Sequence, residues 1–283
     1  MEAVSKLMCL LIILAPIPKL EYSGAKKGLR NMKNLLKRKL SRGEAVVGCF
    51  VGLGHPDVTE ALSRLGFDWL LIDGEHSPIG LETMQGMLQA MNGTECTPII
   101  RPAWNDPVII KRVLDIGAHG VLVPWVNNAE EAEAAVRACK YPPVGLRGYG
   151  PRRAALGDPD YWASANEEVL VSVQIETREA VDHVEEILSV EGVDACFIGP
   201  WDLSSNLLGR VPPDYSNPEY AEAFQKVLEA SEATGKPAGL YCNPTNIQWA
   251  LEKGFKYNTV GEADDFLMEG ARRALEAAGR KPR

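Results

Sequence analysis

The ends of several short apolar runs carry side chains suited to a metal-assisted reaction through an anionic intermediate. Asp73, Glu75 and His76 close the run WLLIDGEH, Arg101 closes PIIR, Gln174 and Glu176 close LVSVQIE, and Asp202 follows FIGPW. Glu176 and Asp202, from consecutive runs, can converge on one divalent cation. Two carboxylates plus water make the oxygen-rich, largely hydrated shell that Mg2+ or Mn2+ accepts. The alternative is that Glu176 caps the helix after it and Asp202 pairs with Arg210. Gln174 and Glu176 are two apart on a strand and so share a face. The Arg101 guanidinium can hold an oxyanion in a fixed fork, or pair with Asp73. These two roles are compatible, because Asp73 could orient Arg101. His76 is the general-base candidate, its ordinary pKa lying near neutrality, and it needs a carboxylate to set its tautomer. His55, His119 and His183 read as ordinary surface or core groups.

Such groups must be positioned by strands. Eight β-rich runs recur: Val46–Val51, Trp69–Asp73, Pro98–Arg101, Gly120–Pro124, Leu170–Glu176, Asp194–Ile198, Ala238–Tyr241 and Tyr257–Val260. They are continuously apolar rather than alternating, as parallel strands covered by helices are. Helical patterns lie between them. Asp106-Pro107 opens one and Gly117 ends it; Asn128 with Glu131 resembles a capping box; Thr177 is placed to cap REAVDHVEEIL; Asn217-Pro218 opens the segment that Gly235 ends. Eight strands alternating with helices predict a single-domain (β/α)8 TIM barrel over residues 32–283. The competitor is a doubly wound open sheet, but GLGHPDVTE after the first strand lacks both the Rossmann spacing and a P-loop. The long connection Lys140–Glu168, rich in Pro, Gly and Arg, reads as a loop over the active face. Catalytic groups in such a barrel sit where strands end, which is where these polar residues fall.

The chain has 283 residues, 46% hydrophobic and 24% charged, an ordinary globular mix. A net charge of −8 argues against a nucleic-acid partner. The six cysteines are scattered without a CxxC, which fits buried thiols in a reducing compartment, the cytoplasm, rather than a zinc site. Residues 1–31 read as an N-terminal extension, dispensable or targeting. Their apolar run MCLLIILAPI is too short for a membrane helix, and no membrane association is expected elsewhere.

The stretches FDWLLIDGEHSP, RPAWNDPVIIKRVLDIGAHGVLVPWV, YPPVGLRGYG, VQIETREAV and VEGVDACFIGPWDLS resemble the metal-dependent class II pyruvate aldolases of the 4-hydroxy-2-oxoheptanedioate and 2-keto-3-deoxy sugar acid aldolase family. The likeness runs from about Met32 to Gly261. It implies a (β/α)8 barrel, a divalent cation (Mg2+, Mn2+ or Co2+) and a homohexamer. It implies Glu176 and Asp202 as metal ligands, Arg101 as the partner of the pyruvyl keto oxygen and enolate, and His76 with Asp115 as the acid/base pair. Gln174 would line the site. The GPWD turn, with Gly199 and Trp201, would receive the substrate carboxylate. Spacing alone would not choose Asp115. The chain departs from the family pattern at Trp201, where a small residue is common, at NTVGEADDFL, and at Tyr241-Cys242-Asn243. These departures bear on substrate choice rather than on the metal site.

The function implied is reversible cleavage of a 4-hydroxy-2-oxo acid to pyruvate and an aldehyde, the metal and Arg101 stabilising the enolate. No lysine stands at a strand end, which argues against a Schiff-base aldolase. An oxaloacetate decarboxylase or related enolate-forming synthase would use the same enolate. A citrate-lyase-like acyl-CoA lyase would need cations for the CoA phosphates, with Arg147, Arg152 and Arg153 as candidates. A barrel that has lost activity is the non-catalytic alternative, set against it being the intact His76, Arg101, Glu176 and Asp202 set.

Overall fold

Strands with no polar face must be buried on both sides, which a barrel achieves by closing on its own lumen and covering its outside with helices. The computed structural model describes residues 34–281. They run in the order α1 (Leu35–Ser41), β1 (Val46–Val51), α2 (Pro56–Ser63), β2 (Trp69–Asp73), α3 (Leu81–Ala90), β3 (Thr97–Arg101), α4 (Pro107–Asp115), β4 (Gly120–Val123), α5 (Ala129–Cys139), α6 (Tyr161–Glu168), β5 (Leu170–Ile175), α7 (Arg178–Asp182), α8 (Val184–Ser189), β6 (Ala195–Ile198), α9 (Pro200–Leu208), α10 (Pro218–Thr234), β7 (Ala238–Leu240), α11 (Ile247–Lys253), β8 (Tyr257–Glu262) and α12 (Ala263–Ala277). Every strand pairs in parallel with its sequence neighbours, and β8 returns to β1 to close the barrel. All eight expected strands form. Their ends shift by a residue or two, most at β8, which continues to Glu262.

The period of two sorts the strand residues. Phe50, Trp69, Leu71, Ile99, Leu122, Leu170, Phe197 and Tyr257 fill the lumen. Cys49, Leu70, Ile72, Ile100, Val121, Val171 and Cys196 pack outward against the helices. Leu36 and Leu40 of α1 join the lumen cluster and plug its lower end. A Cβ on Gly48 would lie 2.1 Å from the Trp69 ring, so glycine there gives the indole its space. Continuing the inward rows upward along β2, β3 and β5 reaches Asp73, Arg101, Gln174 and then Glu176. The alternation that packs the lumen therefore also delivers the polar rim.

Helix starts follow the expected caps. Asp106 Oδ1 accepts from the amides of Val108 and Ile109 at 2.8 and 2.9 Å. Thr177 Oγ1 accepts from Ala180 at 3.0 Å, and Asn217 caps α10. Asn128 Oδ1 accepts from Glu131 N, but the Glu131 carboxylate returns to Asn127 N at 2.7 Å, one residue earlier than a reciprocal box requires. The helix expected after β5 breaks in two at His183.

The placement of the long connection is also overturned. Lys140–Glu168 joins α5 to β5, so it belongs to the end of the barrel where strands begin, not to the rim where they end. It contains α6, and Arg147 is buried within it against the Tyr141 ring, 4.5 Å from the centroid. The reading of residues 1–31 lies outside the described residues. Among the described residues no helix is long and apolar enough to cross a membrane.

Candidate active site

β2 and β3 are paired so that Asp73 lies beside Arg101. Arg101 Nε and a terminal nitrogen reach the two oxygens of Asp73, each at 2.9 Å. This bidentate pair is buried. Asp73 Oδ1 also accepts from Glu75 N at 3.0 Å, which folds the DGEH turn back over the strand end. The other terminal nitrogen of Arg101 lies 3.0 Å from Glu75 Oε2, off the hydrogen-bond line, and 3.4 Å from Gln174 Oε1. Gln174 Nε2 then donates to Glu176 Oε2 at 2.6 Å. The chain of contacts thus runs Asp73–Arg101–Gln174–Glu176 across the rim.

Glu176 is 1% exposed. Its Oε1 accepts from the backbone N–H of Trp125 at 2.8 Å. Trp125 has φ 54° and is the only non-glycine residue among those described with a positive φ. Such a conformation costs on the order of 1 kcal/mol, and here it aims an amide at the carboxylate. Gly199 closes in from β6: a Cβ there would lie 2.6 Å from Glu176 Oε2 and 2.9 Å from Gln174 Nε2. Asp202 follows in the first turn of α9, where the helix dipole favours a carboxylate. The alternatives raised for these two carboxylates are not realised, since Thr177 caps α7 and Arg210 pairs with Asp214.

Charge is uneven at this rim. Asp73, Glu75 and Glu176 share the neighbourhood of the Arg101 guanidinium, and Asp202 adds its charge to Glu75 and Glu176. Burial works to raise Asp73, but the Arg101 guanidinium outweighs it and holds the carboxyl below its usual range. Burial and the nearby Asp73 and Asp202 charges push Glu75 up against the pull of Arg101 and His76. Burial, reinforced by Glu75 and Asp202, pushes Glu176 up to about 8. Two carboxylates at neighbouring strand ends, Glu176 after β5 and Asp202 after β6, are oxygen donors of the kind a largely hydrated divalent ion accepts, and they are the residues that would hold one, with water and substrate completing its shell. Among the described residues no three His, Cys, Asp or Glu side chains group as a ligand cluster.

His76 stands at the edge of this group, its side chain 62% exposed and Nε2 3.8 Å from Glu75 Oε2. Trp201 is 52% exposed beside Asp202. Asp115 is not brought to His76 within the chain. It ends α4, which runs back from the rim, and it accepts from Arg147 at 2.8 Å at the far end of the barrel. The arginines considered for CoA phosphates lie in that same connection. Arg147 is buried and Arg153 donates to Ile116 O at 2.6 Å. Sequence reasoning missed Trp125, whose contribution is a backbone N–H and leaves no residue-type signature. It also missed Phe50, whose ring lies 5.1 Å beneath the Arg101 guanidinium.

A family model described as HpcH/HpaI aldolase/citrate lyase matches residues 46–267. A 4-hydroxy-2-oxo-heptane-1,7-dioate aldolase of Escherichia coli (strain ATCC 8739) is 43% identical over 251 residues, covering 87% of this chain and 95% of that protein. The crystal structure of an HpcH/HpaI aldolase/citrate lyase family protein from Burkholderia cenocepacia J2315 superposes with a TM-score of 0.83 at 33% identity, covering 87% of this chain and 99% of that one. That of the citrate synthase SbnG superposes with a TM-score of 0.77 at 29% identity, covering 86% of this chain and 97% of that one.

Proposed function

The chain belongs to the HpcH/HpaI aldolase/citrate lyase family and is an aldolase-type lyase; on that premise we propose that it cleaves 4-hydroxy-2-oxo acids to pyruvate and an aldehyde, reversibly, at the rim around Arg101. The observation that carries this reading is the excess of carboxylate, Glu75 and buried Glu176 beyond the paired Asp73, around one buried guanidinium. A divalent cation (Mg2+, Mn2+ or Co2+) held by Glu176 and Asp202 would supply Lewis-acid stabilisation of the enolate.

The protein's own groups do the rest. Arg101, locked by Asp73, presents a pre-oriented guanidinium to the pyruvyl keto oxygen. Such preorganisation matters because it is already in place when charge develops. Gln174 links Arg101 to Glu176 and keeps the two in register. The backbone N–H groups of Gly199, just before α9, and of Trp201 in its first turn suit the substrate carboxylate. In cleavage His76 takes the C4 hydroxyl proton, the C3–C4 bond breaks, and its electron pair passes into the pyruvyl enolate as the aldehyde departs. Protonation at C3 then gives pyruvate. The family resemblance assigns Asp115 to His76. In a barrel that holds Asp115 at its far end, that pair requires a second copy of the chain, in keeping with the homohexamer the resemblance implies. The five described cysteines are buried and free of disulfides, which suits a reducing, cytoplasmic setting.

Exchange of the C3 protons of pyruvate in D2O tests the enolate directly. Wild type should exchange, and Arg101→Ala should not while keeping its circular dichroism. Undiminished exchange in that variant would remove Arg101 from the mechanism. The likeness to a citrate synthase favours a second reading, an oxaloacetate decarboxylase or enolate-forming synthase. Faster pyruvate release from oxaloacetate than from 4-hydroxy-2-oxo acids would select it.

A further inference from the structure

The arc of the rim formed by β7, β8 and β1 carries a hydrogen-bonded pair that the chemistry above leaves unused. Tyr241 follows β7 and Glu262 ends β8, and Tyr241 Oη donates to Glu262 Oε1 at 2.7 Å. Tyr241 packs on the lumen cluster, edge-on to Phe50 with centroids 5.5 Å apart. The Arg101 guanidinium stands 5.1 Å from the centre of the same Phe50 ring. One surface therefore leads from Arg101 across Phe50 to the Tyr241–Glu262 pair.

Glu262 faces inward because of a bulge. β1 and β8 pair as Gly48↔Thr259 and next as Phe50↔Glu262, so two steps on β1 match three on β8. Without the extra residue, Gly261 would sit opposite the inward-facing Phe50 and Glu262 would turn to the outer helices. Gly261 has φ 129°, a conformation glycine tolerates best. Bulges beside active sites re-aim side chains in this way. Tyr241 occupies one oxygen of Glu262. The other accepts no hydrogen bond among the described residues, and is able to accept one from a ligand hydroxyl. Asp264, Asp265 and Asp73 add negative charge around it, and the Arg101 hydrogen bonds go to Asp73 and Gln174 rather than to Glu262.

We propose that the Tyr241–Glu262 pair selects the aldehyde partner, accepting uncharged hydroxyaldehydes and rejecting aldehydes that carry a carboxylate. This rests on the aldolase reading and deepens it. It also separates this chain from its relatives, whose named substrate is a dioate. Cleavage of that dioate releases pyruvate and succinic semialdehyde, whose free carboxylate would meet Glu262 as a like charge. A hydroxyl on the aldehyde would instead donate to the unused oxygen.

The test measures addition of pyruvate to glycolaldehyde, to glyceraldehyde and to succinic semialdehyde, with C3 exchange of pyruvate as a separate readout. Wild type should favour the hydroxyaldehydes in kcat/KM by about tenfold or more, the effect of one unfavourable charge contact of about 1.4 kcal/mol. Glu262→Gln should shift the ratio toward succinic semialdehyde by about the same factor. Glu262→Asp, which keeps the charge, should still reject it. The ratio of two substrates on one preparation does not depend on how much protein is folded. A wild type that prefers succinic semialdehyde, or a Glu262→Gln ratio unchanged from wild type, would overturn the selection proposed here while exchange persists. Absence of exchange in wild type would overturn the aldolase reading and this inference with it.

Discussion

Asp73, Arg101, Gln174 and Glu176 act as one buried row, and its chemistry follows from what each does to the next. The bidentate Asp73–Arg101 pair fixes a fork that lysine cannot reproduce. Arg101→Lys should therefore lose turnover on the order of a hundredfold or more, measured as kcat with the fold checked by circular dichroism. Glu176 gives a pH dependence with a definite sign. Its folded pKa of about 8 lies above the ordinary value of 4.5, so the folded state binds the proton more tightly than the unfolded chain. The stability this contributes is complete below about pH 4.5 and is lost as pH rises through about 8, by up to about 5 kcal/mol. Urea midpoints of chelator-treated protein should fall across that window, and Glu176→Gln should flatten the fall. A midpoint that rises with pH over the same range would contradict the desolvated carboxylate. These four residues were legible from sequence because ionisable side chains at strand ends are conspicuous. Trp125 was not, since its contribution is a main-chain donor in a left-handed conformation, and neither is written in a side-chain type.

Strand parity explains more of the site than any individual residue does. Counting by twos along β2, β3 and β5 carries the lumen row of Trp69, Ile99 and Leu170 up to Asp73, Arg101 and Gln174, and that count could be made on the sequence. The bulge in β8 could not, because a single extra residue appears only when β8 is aligned with β1. The long connection after α5 was misplaced for a related reason. Its Pro, Gly and Arg content marks a loop, but only its position after a helix and before a strand says which end of the barrel it occupies. The bulge predicts that Gly261→Ala is costly, both for its φ of 129° and because a Cβ would lie 2.8 Å from the Phe266 ring. A loss of about 1–3 kcal/mol in urea unfolding is expected, with aldehyde selectivity altered as Glu262 swings away. Wild-type stability and selectivity in that variant would mean that the bulge does not hold Glu262 in place.

For the whole molecule, the barrel itself decides which groups one chain can bring together. Its rim gathers residues from β2, β3, β5 and β6, whereas Asp115 lies at the opposite end, bound to Arg147. If Asp115 serves the His76 of a neighbouring copy, His76→Ala and Asp115→Ala should each be inactive alone. Refolding them together should then restore part of the activity by pairing an intact His76 with an intact Asp115 across an interface. Mixtures that stay inactive would detach Asp115 from the reaction. The central claim, that Glu176 and Asp202 together hold one divalent ion, is tested most directly by titrating Mn2+ into chelator-stripped protein by calorimetry. One ion per chain is expected for wild type, with binding abolished or weakened at least about a hundredfold in both Glu176→Gln and Asp202→Asn. Undiminished binding in those two variants, or full activity of the stripped enzyme, would contradict the claim.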